Sequence, residues 1–313
     1  MTKYRNRLPQ LNGKSMLTDG GLETTLVFHQ EMDIPCFAAI TVLRLQCGER
    51  IIREYFRPYV DIALASGRGL ILGTPTWRAS SDWAQELGYT PREMEAAHHR
   101  SVALLAAIRD THETPDSPFV ISGDIGPRGD GYVPGALMTA AEAAAYHRPQ
   151  IETLAAAGAD LVTALTLNYA DEAIGVAEAA RDAGMPVAIS FTVETDGRLP
   201  TGQSLADAIA QVDAETGAAP AYYMINCAHP THFADAVAAG EAWTRRIRGL
   251  RANASCLSHA ELEACTELDE GNPVELGRQY RALQDTLPAL RVFGGCCGTD
   301  HRHVAEISRQ IAA

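Results

Sequence analysis

Eight short apolar runs, spread along the chain with helical stretches between them, set the strongest constraint on the fold. They are residues 15–19 (SMLTD), 69–74 (GLILGT), 119–124 (FVISGD), 160–165 (DLVTAL), 186–191 (PVAISF), 221–226 (AYYMIN), 247–252 (IRGLRA) and 290–295 (LRVFGG). Several are nearly continuous in Val, Ile and Leu, as strands covered on both faces should be. The intervening stretches carry helical period. Residues 49–66 place Ile52, Tyr55, Phe56, Tyr59, Ile62 and Ala63 on one face. Thr90 with Glu93, and Thr139 with Glu142, have capping-box spacing; Pro91 suits a first helical turn, and the second of these helices ends near Gly158. Residues 171–182, 204–215, 273–286 and 301–311 read likewise, with 231–244 a weaker crossover. Eight strand–helix units with no break in composition predict an α/β fold, one closed (β/α)8 barrel occupying residues 1–313 as a single domain. Two irregular stretches, 124–138 and 253–272, follow strands and so belong at the C-terminal mouth, where functional loops collect.

Charge narrows the function classes. Lys plus Arg number 26 against 39 Asp plus Glu, a net charge of −13. Nucleic-acid backbones and anionic membranes need positive surface, so neither is expected as a partner. No apolar run approaches the roughly 20 residues of a membrane span, and residues 1–10 lack the apolar stretch of a signal peptide. A cytoplasmic, reducing setting is the expectation, and the seven cysteines are therefore not read as a disulfide framework. Cys36, Cys47, Cys256 and Cys265 read as small buried residues or plain loop positions.

The other three cysteines are different. Cys227 directly follows the sixth run, in Asn226-Cys227-Ala228-His229-Pro230, and Cys296 and Cys297 follow the eighth, in Gly294-Gly295-Cys296-Cys297-Gly298. In a barrel these three thiols meet at one end. Three sulfurs on rigid strand ends suit a tetrahedral zinc ion whose fourth position stays open, and soft thiolates favour zinc over magnesium or calcium. The flanking glycines would let the backbone turn sharply enough for neighbouring cysteines to reach one ion. A vicinal Cys296–Cys297 disulfide, or a buried thiol beside a reactive one, stands as the alternative. His229 is a further ligand candidate, or a residue lining the mouth.

With Asp19-Gly20-Gly21-Leu22-Glu23-Thr24 after the first run, these segments resemble the homocysteine S-methyltransferase family, over nearly the whole chain. The resemblance implies a zinc barrel with Cys227, Cys296 and Cys297 as ligands, moving a methyl group from a small onium donor to a thiol, with homocysteine giving methionine. Only about 3% of a free thiol is ionised at pH 7; zinc binding expels the proton. Aligning sulfur and methyl group for in-line displacement supplies the larger share, around 7–11 kcal/mol. Asp19 would hold the amino acid's ammonium, or else cap a helix starting near Leu22. Gly20 and Gly21 would offer N–H groups to its carboxylate, and Asn226 joins the substrate set. One departure stands out: Leu165 occupies the fourth-strand position where the family carries a glutamate for the ammonium. Glu194 is the candidate to replace it, or the acceptor is another thiol.

Onium donors sit well on aromatic faces, which points to Trp77 and Tyr132, and more weakly to Tyr169. The sequence carries no cobalamin- or folate-binding domain, leaving a small free donor or a methylated corrinoid brought by another protein. A homo-oligomer is compatible with all of this. A zinc hydrolase, or zinc that merely holds the rim together, are the competing readings. Phosphate-loop, dinucleotide and His-Glu-x-x-His motifs are absent. His98–His99 reads as a solvated face and residues 261–270 as an exposed helix.

Overall fold

All eight runs form strands in the computed structural model, which describes residues 2–238 and 240–311. They are β1 (Met16–Leu17), β2 (Gly69–Gly73), β3 (Phe119–Ile125), β4 (Leu161–Leu167), β5 (Val187–Phe191), β6 (Tyr222–Asn226), β7 (Ile247–Ala252) and β8 (Val292–Gly295). Each pairs in parallel with the next, and β1 closes onto β8 through Met16↔Val292 and Leu17↔Phe293. Every residue of the strands except two in β7 is buried. Eight main helices follow the strands: α1 (Gly48–Ser66), α2 (Pro91–His112), α3 (Ala140–Ala157), α4 (Ala170–Asp182), α5 (Leu205–Thr216), α6 (Pro230–Val237), α7 (Pro273–Thr286) and α8 (His301–Gln310).

The punctuation read from the sequence is present. Thr90–Glu93 and Thr139–Glu142 form reciprocal capping boxes, and Gly158 ends α3 in the left-handed region at φ 101°. The sixth crossover is short, its helix stopping at Val237. His98 departs from expectation. It is buried on α2, in helical register with Met94 and Val102, and bonds the Met94 carbonyl at 2.8 Å. Burial lowers its pKa to about 4; only His99 faces solvent. Of residues 261–270, only the start is helical, in a short turn at His259–Ala264.

Two cores result. The larger lies between sheet and helices. The smaller fills the barrel's N-terminal interior with Met16, Ile71, Val120, Leu161, Tyr222, Met224 and Val292, sealed below by Leu8 and Tyr4. Apolar packing stops there. At the C-terminal end the inward residues turn polar, and a cavity of about 640 Å³ opens.

Candidate metal centre and substrate cavity

Cys227, Cys296 and Cys297 converge at this cavity, their sulfurs all within 4.8 Å of one another. A tetrahedral zinc with bonds near 2.3 Å places its sulfur ligands about 3.8 Å apart, so the donor set fits that ion. Cys227 and Cys296 are joined as a disulfide. The pairing links β6 to β8 rather than the neighbours Cys296 and Cys297; Cys297 is a free thiol, with its pKa raised by burial. Loading the site with metal therefore requires reduction first. Cys36 is half-buried in a short turn and packs against the larger core, whereas Cys47, Cys256 and Cys265 are exposed.

The backbone holds the thiols. Cys227 has φ 54°, a conformation rare outside glycine. Its N–H bonds the Arg251 carbonyl at 3.0 Å. Its own carbonyl accepts from His259 Nε2 at 2.6 Å and Asn253 Nδ2 at 3.1 Å. Asn226 also braces the site: its Oδ1 accepts from Ser190 Oγ at 2.6 Å and from the N–H of Thr166, a second positive-φ residue, at 2.8 Å. Its Nδ2 lies 3.9 Å from the Cys296 sulfur. Of the glycines beside the cysteine pair, Gly298 makes the sharp turn expected, at φ 76°. Gly294 and Gly295 serve close packing instead, since a Cβ on them would run into the Thr18 and Thr299 side chains. Gly21 likewise allows the β1 loop to pack on the β8 loop, since a Cβ there would sit 2.7 Å from the Cys296 carbonyl oxygen.

The remaining residues separate into those lining the cavity and those outside it. Asp19, Gly20, Gly21, Trp77, Tyr132, Leu165, Glu194 and Asn226 all line it. The Tyr132 hydroxyl is 3.8 Å from the Cys297 sulfur, and its ring lies 4.0 Å from that of His259. Trp77 Nε1 donates to the Leu165 carbonyl at 3.3 Å, with the Arg78 guanidinium 5.0 Å from its ring centre. Glu194 is half-exposed, 3.3 Å from His259 Nδ1. The Gly21 N–H is already committed to the Thr299 carbonyl at 2.9 Å. His229 and Tyr169 lie away from the cavity. His229 caps α6, and the Tyr169 hydroxyl accepts from the Met138 N–H at 3.1 Å.

Asp19 does not cap a helix; the short turn after it starts at Leu22 with Gly21 as its cap. Nor is its charge free. Oδ1 is 2.8 Å from Arg251 Nη2, and Oδ2 accepts from the Tyr55 hydroxyl at 2.9 Å. Arg251, Tyr55, Asp124, Glu23 and His259 are site residues that the sequence reading missed. Asp124 and Arg251 carried the same signal as Asp19, a charge at the C-terminal end of an apolar run. Burial raises the pKa of Asp19, and raises those of Glu23 and Asp124 to about 7.

The chain is thus a closed (β/α)8 barrel with three thiols clustered at its mouth. The homocysteine S-methyltransferase family profile matches residues 16–311. The chain therefore belongs to the homocysteine S-methyltransferase family and is a methyltransferase. Among curated proteins no sequence matches it. Among solved structures it is similar to the homocysteine methyltransferase MmuM from Escherichia coli. The oxidized form superposes with TM-score 0.78 at 21% identity, covering 98% of this chain and 99% of that one. The metallated form gives 0.75 at 20% over the same shares, and the apo form 0.69 at 22% over 97% and 100%. Among the described residues no helix is long and apolar enough to cross a membrane.

Proposed function

We propose that this protein is a zinc-dependent methyltransferase that moves a methyl group from a small onium donor to the thiol of homocysteine. The observation carrying this reading is the convergence of Cys227, Cys296 and Cys297 at the floor of one cavity. These residues, once reduced, would hold the metal. When bound, zinc supplies a Lewis acid that expels the acceptor's thiol proton and keeps its sulfur anionic at neutral pH. In the net reaction the S–H bond of the acceptor breaks, an S–CH3 bond forms, and the carbon–onium bond of the donor breaks with its electron pair staying on the neutral product. One proton is released.

The protein's own residues do the positioning. His259 and Asn253 fix the Cys227 backbone, and Asn226 sits against Cys296. Tyr132 closes over Cys297 and, with Trp77, gives the donor aromatic surface. Among the described residues, Asp19, Glu23, Asp124, Asp130, Glu194 and Glu263 line the cavity against two arginines, Arg78 and Arg251. That excess of acid suits an onium donor and an ammonium-bearing acceptor. A zinc hydrolase would generate hydroxide more readily with histidine and carboxylate ligands than with three electron-rich sulfurs.

The test uses reduced, zinc-reconstituted protein, with homocysteine offered S-methylmethionine, a betaine or a methylcorrinoid and products read by mass. Methionine formed with the first or second donor supports the proposal. Full zinc content and full turnover in Cys296→Ser overturn it.

A further inference from the structure

The absence of a glutamate at position 165 leaves open what receives the acceptor's ammonium. Asp19 is already neutralised. Arg251 is tied to it through Nη2, while its Nε donates to the Gly295 carbonyl at 3.0 Å and Nη2 also reaches the Gly20 carbonyl at 3.1 Å. Anchored this way, Arg251 does not close on Asp124: its Nη1 stays 3.8 Å from Asp124 Oδ2.

Asp124 is consequently a carboxylate with one oxygen satisfied and one left over. It is 94% buried, and Oδ1 accepts from Ser122 Oγ at 2.6 Å; that hydroxyl is in turn 2.7 Å from Thr163 Oγ1 on β4. Oδ2 accepts no hydrogen bond from any described residue, and Asp124 lines the cavity. Room for that oxygen comes from β2, where a Cβ on Gly73 would lie 2.2 Å from it. β3 adjoins β4 with Asp124 opposite Thr163, so Asp124 stands one strand away from Leu165 and two residues deeper, and both line the same cavity. Glu23 lines the same cavity and pairs with no cation among the described residues. Three carboxylates thus face one guanidinium, and ionising all three in this buried space is costly unless a cation arrives.

Building on the methyltransferase reading above, we propose that Asp124, with Glu23 beside it, binds the ammonium of the amino-acid thiol acceptor. The carboxylate missing from β4 is supplied from β3, and Asp19 acts by holding Arg251. The pKa values of Asp124 and Glu23, both pushed up to about 7 by burial first and then by neighbouring carboxylates, Asp19 for both and Glu23 for Asp124, fit a site completed by a bound cation.

The test compares wild type with Asp124→Asn, which keeps the Ser122 contact at one oxygen. Both proteins, zinc-loaded, receive homocysteine or 4-mercaptobutanoate, the same thiol acid without the amino group. The wild-type preference for homocysteine, as a ratio of kcat/KM values, is expected to fall about 10- to 100-fold in the variant, the size of a charge-assisted contact. A ratio that changes less than twofold overturns the proposal, as does a defect confined to the donor's KM, which would place the donor's onium here instead. Calorimetric titration with L-methionine gives a readout independent of turnover. Wild type should bind it at least about tenfold more tightly than Asp124→Asn, and equal binding overturns the proposal. A wild type inert toward every donor would sink the methyltransferase reading while the titration still judged the cation site.

Discussion

Two sets of groups around the cavity are built differently. The thiols of β6 and β8 are set by backbone: a positive-φ cysteine, a carbonyl with several donors, and two loops packed within the clearance of a single hydrogen. The charges are carried by side chains at the ends of β1, β3 and β7, in an arrangement with Leu165 where the family has glutamate, and with Arg251 and Asp124 supplying charges of their own. Every barrel strand ends at the same rim, so a carboxylate can move to a neighbouring strand and still face the same ligand. A backbone-held thiol triad cannot be moved so cheaply. On the proposed reading, the thiols fix the reaction and the charged set selects the acceptor.

Substitutions put that contrast to the test. The largest effect is expected on the thiol side: Cys297→Ala should lose its zinc, measured by metal analysis, and at least ~10³-fold in turnover, since the positioned sulfur is then lost. On the acid side, Arg251→Met leaves Asp19 buried with its cation gone, a loss of about 3–5 kcal/mol, read as a melting temperature lower by roughly 10 °C. The double variant Asp19→Asn/Arg251→Met should recover most of it; additive losses would show that the two residues do not act as a pair. His259→Ala removes the donor to the Cys227 carbonyl and the ring under Tyr132. Zinc affinity should weaken about 10- to 100-fold, as for other residues that orient a ligand, seen in competition with a chelator.

The smallest effect is in pH. Asp124 faces Arg251 from β7, with Asp19 and Glu23 nearby, and burial raises its pKa to about 7. Between its ordinary value near 4 and 7 the folded chain holds a proton that the unfolded chain has released, so stability falls as pH rises through that window. Asp124→Asn removes that dependence. Its melting temperature minus that of wild type should grow by a few degrees from pH 5 to pH 8; a flat difference would show that the buried carboxylate carries no such penalty.

Much of this was legible in the chain. Short apolar runs marked every strand, several of them nearly continuous because parallel strands are covered on both faces, and the cap boxes at Thr90 and Thr139 marked two helices. The thiol triad could be read because three cysteines at two strand ends have few other places to meet. His98 was misread since two adjacent histidines look polar, whereas helical register sends one inward and one outward. Arg251 and Asp124 escaped for a different reason. A charge at the end of an apolar run is visible in the sequence, but its partner across the barrel is not. The ion pair joining residues 19 and 251 exists only once the sheet has closed. The Cys227–Cys296 link is likewise a property of closure, not of spacing.

Zinc-edge X-ray absorption on the reduced, metal-loaded protein should find one zinc per chain with three sulfur neighbours, rising to four when homocysteine is added. A shell with fewer sulfurs, or one that added thiol leaves unchanged, would contradict the proposed zinc centre.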